Sequence, residues 1–144
     1  MQTVQGMTQE EIKTLLPHRE PMLLLDSTTL DADGTAHGFF RIPEHPFYCE
    51  GHFPGKPIVP GVILCEIMAQ STCQLYPDVL KDHLLVYRGL DKVKFRGNVR
   101  PGDLCEVSCH LLEQKGNLFV SDATLSVDGK ICARATIELA ALPK

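Results

Sequence analysis

The sequence predicts an α+β fold in which an antiparallel sheet curls around one long apolar helix. The segment from Pro60 to Tyr76 has apolar side chains nearly all round a helix, so it must be buried on most sides. The second half of the chain alternates apolar and polar residues between turn signals, as antiparallel strands do. The chain has 144 residues, 44% of them hydrophobic, which suits one domain spanning 1–144 with a substantial core.

The predicted helix follows a stiff loop. Residues 51–57 read GHFPGKP, and this mixture of glycine and proline excludes regular structure. Pro60 suits the first turn of a helix, and Pro77 ends the apolar run. One acidic residue, Glu66, lies in the middle of the helix. An ionisable group at a buried position makes this segment the first candidate for function.

Glu66 is costly as an unpaired charge in an apolar helix, so it either finds a partner or has its pKa raised by burial and stays protonated. Because the helix contains no Lys or Arg that could pair with it, the protonated form is expected. Gln70, one turn further along, is the polar neighbour that can hydrogen-bond the neutral acid. His52 in the preceding loop would supply a base, which makes the two residues a candidate acid–base pair. The alternatives are a structural role for Glu66 and an ordinary loop histidine at position 52. The two residues together favour catalysis.

The remaining elements are predicted from capping, alternation and turn signals. Thr8 and Glu11 form a capping box that opens a short N-terminal helix, which runs to about Leu16. Strands are predicted at 22–30, 35–42, 84–96 with an interruption at Gly89, 104–112, 118–127 and 131–139. About six strands wrapped round one helix describe a hotdog fold. Its exposed sheet edges predict association into a dimer.

Composition and charge exclude several classes of protein. The first residues, MQTVQGMTQEE, lack the basic start and apolar run of a signal peptide, and no segment is apolar enough to span a membrane. A cytoplasmic protein is therefore predicted. A net charge of −4 argues against nucleic acid as the main partner. The six cysteines include no Cys-x-x-Cys pair, so we expect reduced core thiols and no metal site.

Basic residues are concentrated in one segment of the second half of the chain. The cluster, in which Asp91 is the only acid, consists of Arg88, Lys92, Lys94, Arg96 and Arg100. Because positions 92, 94 and 96 alternate, a strand would carry them as one basic stripe. The stripe is either a solvated strand face or the docking site of an acidic partner.

Six short motifs, collinear over most of the chain, resemble one enzyme family. They are LPHR at 16–19, GHFPGKP at 51–57, PGV at 60–62, E-x-MAQ at 66–70, DKVKFR at 91–96 and PGD at 101–103. From about residue 11 to residue 139 the chain resembles the FabZ-type β-hydroxyacyl-acyl-carrier-protein dehydratases, which have the hotdog fold. The central loop and helix motifs are the most specific part of the resemblance.

The resemblance implies a reaction and a role for each residue of the candidate pair. His52 is the base that removes a proton from Cα of a (3R)-hydroxyacyl thioester, and Glu66 is the acid that protonates the departing hydroxyl. The product is the trans-2-enoyl thioester. The N–H groups of Gly61 and Val62, at the start of the helix, are expected to stabilise negative charge on the thioester oxygen.

The resemblance also implies the substrate carrier and the assembly. Phe53, Gln70 and Tyr87 are expected to contact the substrate, Tyr87 as part of an apolar acyl tunnel. The substrate arrives on the phosphopantetheine arm of acyl carrier protein, so no separate cofactor is expected. The expected docking residues for this acidic carrier are Lys92, Lys94, Arg96 and Arg100. His52 and Glu66 meet across a homodimer interface in this family, whose members are usually hexamers built from three dimers.

Two other functions remain open. A hotdog acyl-thioesterase would bind the same acyl group but hydrolyse it with an activated water, and release of free thiol would reveal it. A non-catalytic acyl-binding module has no reason to keep an unpaired acid in an apolar helix opposite a loop histidine. The intact GHFPG loop favours the dehydratase over the thioesterase.

Overall fold

The computed structural model describes residues 5–144 and contains a seven-stranded antiparallel sheet wrapped around a central helix. The helices are α1 (Gln9–Ile12), α2 (Gly61–Gln70) and α3 (Pro77–Leu80), with 3₁₀ helices at Phe47–Cys49 and Ser71–Leu75. The strands are β1 (Gln5–Thr8), β2 (Ser27–Leu30), β3 (Ala36–Arg41), β4 (His83–Phe95), β5 (Leu104–Lys115), β6 (Leu118–Val127) and β7 (Lys130–Pro143). They lie in the order β1-β2-β3-β5-β6-β7-β4, which confirms the predicted hotdog fold with one more strand than expected. No helix within residues 5–144 combines the length and apolar character needed to cross a bilayer.

The inner face of the sheet and α2 share the main hydrophobic core. Ile67 and Met68 on α2 are fully buried, as the all-round apolar pattern of this helix requires. The strands contribute alternate residues to the same cluster, among them Val107, Leu125 and Ile137, and all three are nearly inaccessible to solvent. Packing against the curled sheet therefore fixes the position of α2 and of the side chains that it carries.

The helix that carries Glu66 is ten residues long, shorter than the apolar run from which it was predicted. Ser71 Oγ donates to the carbonyl of Ile67 and Thr72 Oγ1 donates to that of Ala69, each at 2.7 Å. These hydroxyls compete for the last carbonyls of α2, and the chain tightens into a 3₁₀ helix. Pro77, expected only to end the helix, is instead the first residue of α3.

The first half of the strand predicted at 22–30 is not a strand. The Gln70 side chain accepts from Leu24 N at 2.8 Å and donates to Met22 O at 2.8 Å. Because a side chain takes the backbone groups that a neighbouring strand would pair, only Ser27–Leu30 joins the sheet. β1, which the sequence did not indicate, pairs with β2 at the edge.

β4 forms the other edge of the sheet and contains two register shifts. The first, between Tyr87 and Gly89, confirms the interruption predicted at Gly89. The second lies between Asp91 and Lys94, where Lys92 adopts a φ of 52°. A β-bulge changes the direction of neighbouring side chains. The backbone of β4 therefore departs from a regular strand at Lys92.

The close contact of β3 with the 3₁₀ helix after α2 predicts a large cost for one substitution. A Cβ at Gly38 would lie 2.1 Å from Ser71 Oγ and 2.6 Å from Ser71 Cβ. We expect Gly38→Ala to lower the free energy of unfolding by about 2 kcal/mol, measured by urea denaturation at one protein concentration. Gly6→Ala is the control, because its Cβ would meet Thr28 O at 3.8 Å. Equal midpoints for the two variants would contradict this account of β3 packing.

Candidate active site

Glu66 lies on α2 with its carboxylate surrounded by donors. Oε1 accepts a hydrogen bond from Tyr87 Oη at 2.9 Å, and Oε2 accepts one from Gln70 Nε2 at 2.9 Å. His18 Nε2 lies 3.5 Å from Oε2. The Glu66 side chain keeps only 19% of its exposure. Glu66 was expected to have Gln70 as its polar neighbour, but the structure also places Tyr87 and His18 beside its carboxylate.

These donors, rather than burial, decide the charge of Glu66. Removal from water, the largest single influence, raises the pKa of the carboxyl group, but His18, Gln70 and Tyr87 together bring it below its usual value. The prediction that burial raises the pKa of Glu66 and keeps it protonated is therefore wrong for the single chain. The carboxyl group is ionised near neutral pH and can accept a proton.

Glu66 opens onto a cavity of about 270 Å³. The cavity lies between α2, the segment that precedes β2, and β4, and apolar side chains such as Leu16, Leu85 and Leu139 line much of it. Its polar groups include the Glu66 carboxylate and the His18 imidazole. An apolar pocket with a few convergent polar groups is the usual form of a small-molecule site.

His52 lies in the loop before α2 and faces a different cavity. Its Nδ1 is 2.9 Å from Ile58 O. Because a carbonyl only accepts, Nδ1 carries a proton, so in the neutral imidazole the lone pair is on Nε2. The imidazole stacks on the Phe53 ring, with 4.1 Å between the ring centroids. This tautomer is the one that a general base requires.

The cavity next to His52 has a volume of about 440 Å³ and includes the start of α2. Gly61 and Val62 are in the first helical turn, where N–H groups have no earlier carbonyl of the helix to bond. A Cβ on Gly61 would lie 2.8 Å from the Phe95 ring, so only glycine lets this ring lie against the helix start. The predicted base and the predicted oxyanion donors thus share one cavity.

The structure does not bring His52 and Glu66 together within one chain. Among residues 5–144, no lining residue is common to the two cavities. One chain therefore places His52 and the first N–H groups of α2 at one cavity and Glu66 at another. The meeting of the two residues across a dimer interface stays a prediction, and their position at different cavities of one chain is consistent with it.

Gln70 and Tyr87, expected to contact the substrate, both bind Glu66. Gln70 is only 3% exposed and its amide is tied to backbone groups as well as to Glu66. Tyr87 is 42% exposed and lines the Glu66 cavity. Their contact with substrate stays a prediction. His18 was missed because it lies in what reads as a turn, although the LPHR motif that contains it was a signal.

The basic residues of β4 line a groove on the outer face of the sheet. Lys92, Lys94 and Arg96 border this groove together with Arg134 of β7, which pairs with Lys94 in register. Arg134 was missed because only strand pairing brings it there. Arg100 does not line the groove, and its backbone N–H donates to Asp103 Oδ2 at 2.9 Å. The groove therefore collects three of the four expected docking residues.

The six cysteines are free, and all of them are buried. Burial raises the pKa of each thiol, to about 12 for Cys105 and Cys109, so they behave as apolar core groups. Within the described part of the chain, no three His, Cys, Asp or Glu side chains come together as metal ligands would.

Comparisons with known proteins identify similar chains. Residues 16–136 match the family model described as FabA-like domain. A 3-hydroxyacyl-acyl-carrier-protein dehydratase FabZ from Clostridium botulinum is 37% identical over 130 residues, covering 88% of this chain and 90% of that protein. The FabZ dehydratase of Streptococcus pyogenes is 36% identical over 132 residues, covering 90% of this chain and 95% of that protein. These matches confirm the resemblance inferred from the six motifs.

Solved structures resemble this chain in fold. The dehydratase heterocomplex ApeI:P from Xenorhabdus doucetiae aligns with a TM-score of 0.58 at 19% identity, covering 74% of this chain and 87% of that chain. A putative thioesterase from Ralstonia eutropha JMP134, described as related to phenylacetic acid degradation, aligns with a TM-score of 0.57 at 21% identity, covering 74% and 76%. At these identities the likeness concerns the fold alone, and it supports the hotdog assignment.

Proposed function

The chain belongs to the FabA-like family, and on this premise we propose that it is a hydro-lyase that dehydrates (3R)-hydroxyacyl-acyl-carrier-protein to the trans-2-enoyl form in fatty acid elongation. The observation that carries the proposal is a carboxylate held by Tyr87, Gln70 and His18 beside an apolar cavity. The thioesterase alternative is not favoured, because the relatives at 36–37% identity are dehydratases and the likeness to a thioesterase is at the level of fold.

The base in this mechanism is His52. Its Nδ1–H is held by Ile58 O at 2.9 Å, so the free Nε2 can take the proton from Cα of the substrate. Negative charge then develops on the thioester oxygen. The N–H groups of Gly61 and Val62 at the positive end of α2 are suited to stabilise this charge. Phe53 supports the base by stacking on its imidazole ring.

The acid is Glu66, which has to gain a proton before the Cβ–O bond breaks. In the single chain its pKa lies below the usual value. An acyl chain in the cavity removes further water from the carboxyl group, which favours the neutral form. We therefore expect Glu66 to take up its proton as the substrate binds. The departing hydroxyl then leaves as water.

A homodimer is the minimal active unit in this proposal, because His52 and Glu66 face separate cavities in one chain. β4 is an edge strand of 13 residues with exposed apolar side chains, including Val86, Leu90 and Phe95. A long apolar edge favours pairing with a second copy of the chain. Assembly of three dimers into a hexamer remains the expectation from the family resemblance.

Acyl carrier protein is the proposed partner, and the groove of Lys92, Lys94, Arg96 and Arg134 is its proposed docking surface. Arg100 stays a candidate outside the groove. A positive groove attracts an acidic carrier and speeds its encounter. Phosphopantetheine belongs to this carrier and is not a cofactor of the enzyme. A cytoplasmic location is proposed as well, in keeping with six free, buried thiols.

Reversing a charge in the groove tests the docking surface. Lys94→Glu is expected to raise KM for the acyl-carrier-protein substrate about tenfold, with kcat and the KM for a small thioester unchanged. Steady-state kinetics at low and high salt measure this change. High salt should also raise the KM of the wild type for the acyl-carrier-protein substrate, because it screens the charges of the groove. Lys115→Glu, at the end of β5 and outside the groove, is the control. An equal loss on both substrates would place the effect of Lys94 elsewhere.

The proposed reaction is tested by the hydration of a trans-2-enoyl thioester, followed as loss of enoyl absorbance. The carrier is first N-acetylcysteamine and then acyl carrier protein, and free thiol is measured in parallel. Consumption of the enoyl group without thiol release supports the dehydratase. Thiol release would support the thioesterase instead. A chain that binds the acyl carrier but turns over neither reaction would support the binding module.

A further inference from the structure

The Tyr87 hydroxyl lies within reach of two acceptors on α2. It is 2.9 Å from Glu66 Oε1 and 3.3 Å from the backbone carbonyl of Cys65. A tyrosine hydroxyl has one proton to donate and lone pairs with which to accept. It can therefore donate to one of these groups while it accepts from a donor on the other side. The shorter contact identifies the carboxylate as its acceptor in this state.

We propose that Tyr87 is a positioning residue that holds the Glu66 carboxyl group in one orientation through both protonation states. While Glu66 is ionised, the Tyr87 hydroxyl donates to Oε1. When Oε1 gains a proton, the hydroxyl turns to donate to the Cys65 carbonyl and accepts from the new O–H. Only hydroxyl protons move, so the acid keeps its place as it gains and loses its proton. The inference rests on the proposed function, in which Glu66 has to adopt both states.

The surroundings of the carboxyl group direct its proton to the oxygen that Tyr87 faces. Oε2 accepts from Gln70 Nε2, an amide nitrogen that cannot accept in return. The Gln70 amide cannot turn over, because its oxygen accepts from Leu24 N and its nitrogen also donates to Met22 O. His18 Nε2 lies farther from the carboxyl group than Tyr87 Oη does, at 3.5 Å from Oε2. Tyr87 is thus the nearer acceptor for a carboxyl proton.

Tyr87 also keeps its own proton under the conditions of catalysis. Burial, followed by the nearby Glu66 carboxylate, raises the pKa of Tyr87 above its usual value. The other titratable groups that face Glu66 or its cavity are His18, Cys65 and Cys73. Burial raises the pKa of both thiols, so they stay neutral between pH 5 and 8.

The first test is the titration of Glu66 in the resting protein, which requires no turnover. The C=O infrared band of the protonated carboxyl is followed against pH in protein labelled with ¹³C-glutamate, and Glu66→Gln assigns the band. Tyr87→Phe keeps the ring but removes a donor to the charged form, so the midpoint should rise by about one pH unit. Tyr87→Met should shift it in the same direction. Tyr48→Phe, at a tyrosine that lines a different cavity, should leave the midpoint unchanged.

The second test is kinetic and separates positioning from substrate binding. Tyr87→Phe should lower kcat about tenfold and keep KM within about twofold, because the ring that lines the cavity is retained. The limb of the pH–rate profile that reports Glu66 should move upward with the infrared midpoint. An unchanged infrared midpoint would contradict the proposed hydrogen bond between Tyr87 and Glu66. A shifted midpoint with unchanged kcat would contradict the positioning role of Tyr87. A wild type without dehydratase activity would instead overturn the proposed function, while the infrared midpoint would still report on Tyr87.

Discussion

Glu66→Gln is expected to lower kcat for dehydration by about a thousandfold, since proton transfer by a well-placed side chain typically contributes a factor of this order. Glutamine has nearly the same shape as glutamate and can still accept from Tyr87 or Gln70, so the cavity should keep its form. It has no acidic proton to give to the departing hydroxyl. His52→Ala should cause a loss of similar size, because it removes the Nε2 lone pair that takes the Cα proton.

These losses are measured as kcat on an acyl-carrier-protein substrate, with thermal unfolding recorded for each variant. Glu113→Gln and His83→Ala are matched controls, since their side chains pair on the surface with Lys115 and Asp82. Both controls should retain wild-type activity. If Glu66→Gln or His52→Ala kept near wild-type turnover, the corresponding catalytic role would be wrong.

Mixing the two inactive variants is expected to restore activity. If each site takes His52 from one chain and Glu66 from the other, a mixed dimer of His52→Ala and Glu66→Gln has one intact site and one that lacks both groups. Random assembly of equal amounts makes half of the dimers mixed, so activity should return to about a quarter of wild type. Co-expression with two different affinity tags, followed by tandem purification, isolates the mixed dimer for assay.

The reverse experiment controls for simple dilution. For wild type mixed with an equal amount of the double variant, His52→Ala with Glu66→Gln, the activity per total protein should be about a quarter of that of pure wild type if sites are shared between chains. The activity per total protein should be about half that of pure wild type if each chain holds a complete site. No recovery in the first mixture, together with half activity in the second, would show that the acid and base act within one chain.

The candidate catalytic residues could be selected from the sequence, whereas the electrostatics around them could not be predicted from it. An acid in an apolar helix and a histidine in a stiff loop are visible as exceptions to local pattern, so His52 and Glu66 could be selected from the sequence. The charge of Glu66 could not be derived in the same way. It depends on His18 and Tyr87, which lie far from it along the chain and reach it only because the segment before β2 and the edge strand β4 pack beside α2.

In the fold, too, the features set by local sequence pattern were predictable, and those set by contacts between distant residues were not. Alternation and turn residues determined most of the strands, and the Asp128–Gly129 hairpin turn has the positive φ angles that this dipeptide favours. The strand expected at 22–25 failed because Gln70, from another element, takes its backbone groups. The length of α2 differed because hydroxyls at 71 and 72 bond back to its last carbonyls. These two differences come from side chains that compete for backbone hydrogen bonds.

The sequence by itself determined the fold class, the family and the two residues with the strongest claim to the chemistry, because each leaves a local pattern of polarity, glycine, proline or motif spacing. The tertiary structure alone decided which groups surround Glu66, that its carboxyl group is ionised, and that Arg134 joins the basic groove. It also separated His52 from Glu66 within one chain. The physical reason is the distance along the chain between the interacting residues. Periodicity and turn signals depend on residues that are neighbours in sequence, whereas a pKa or a groove depends on groups that only folding brings together.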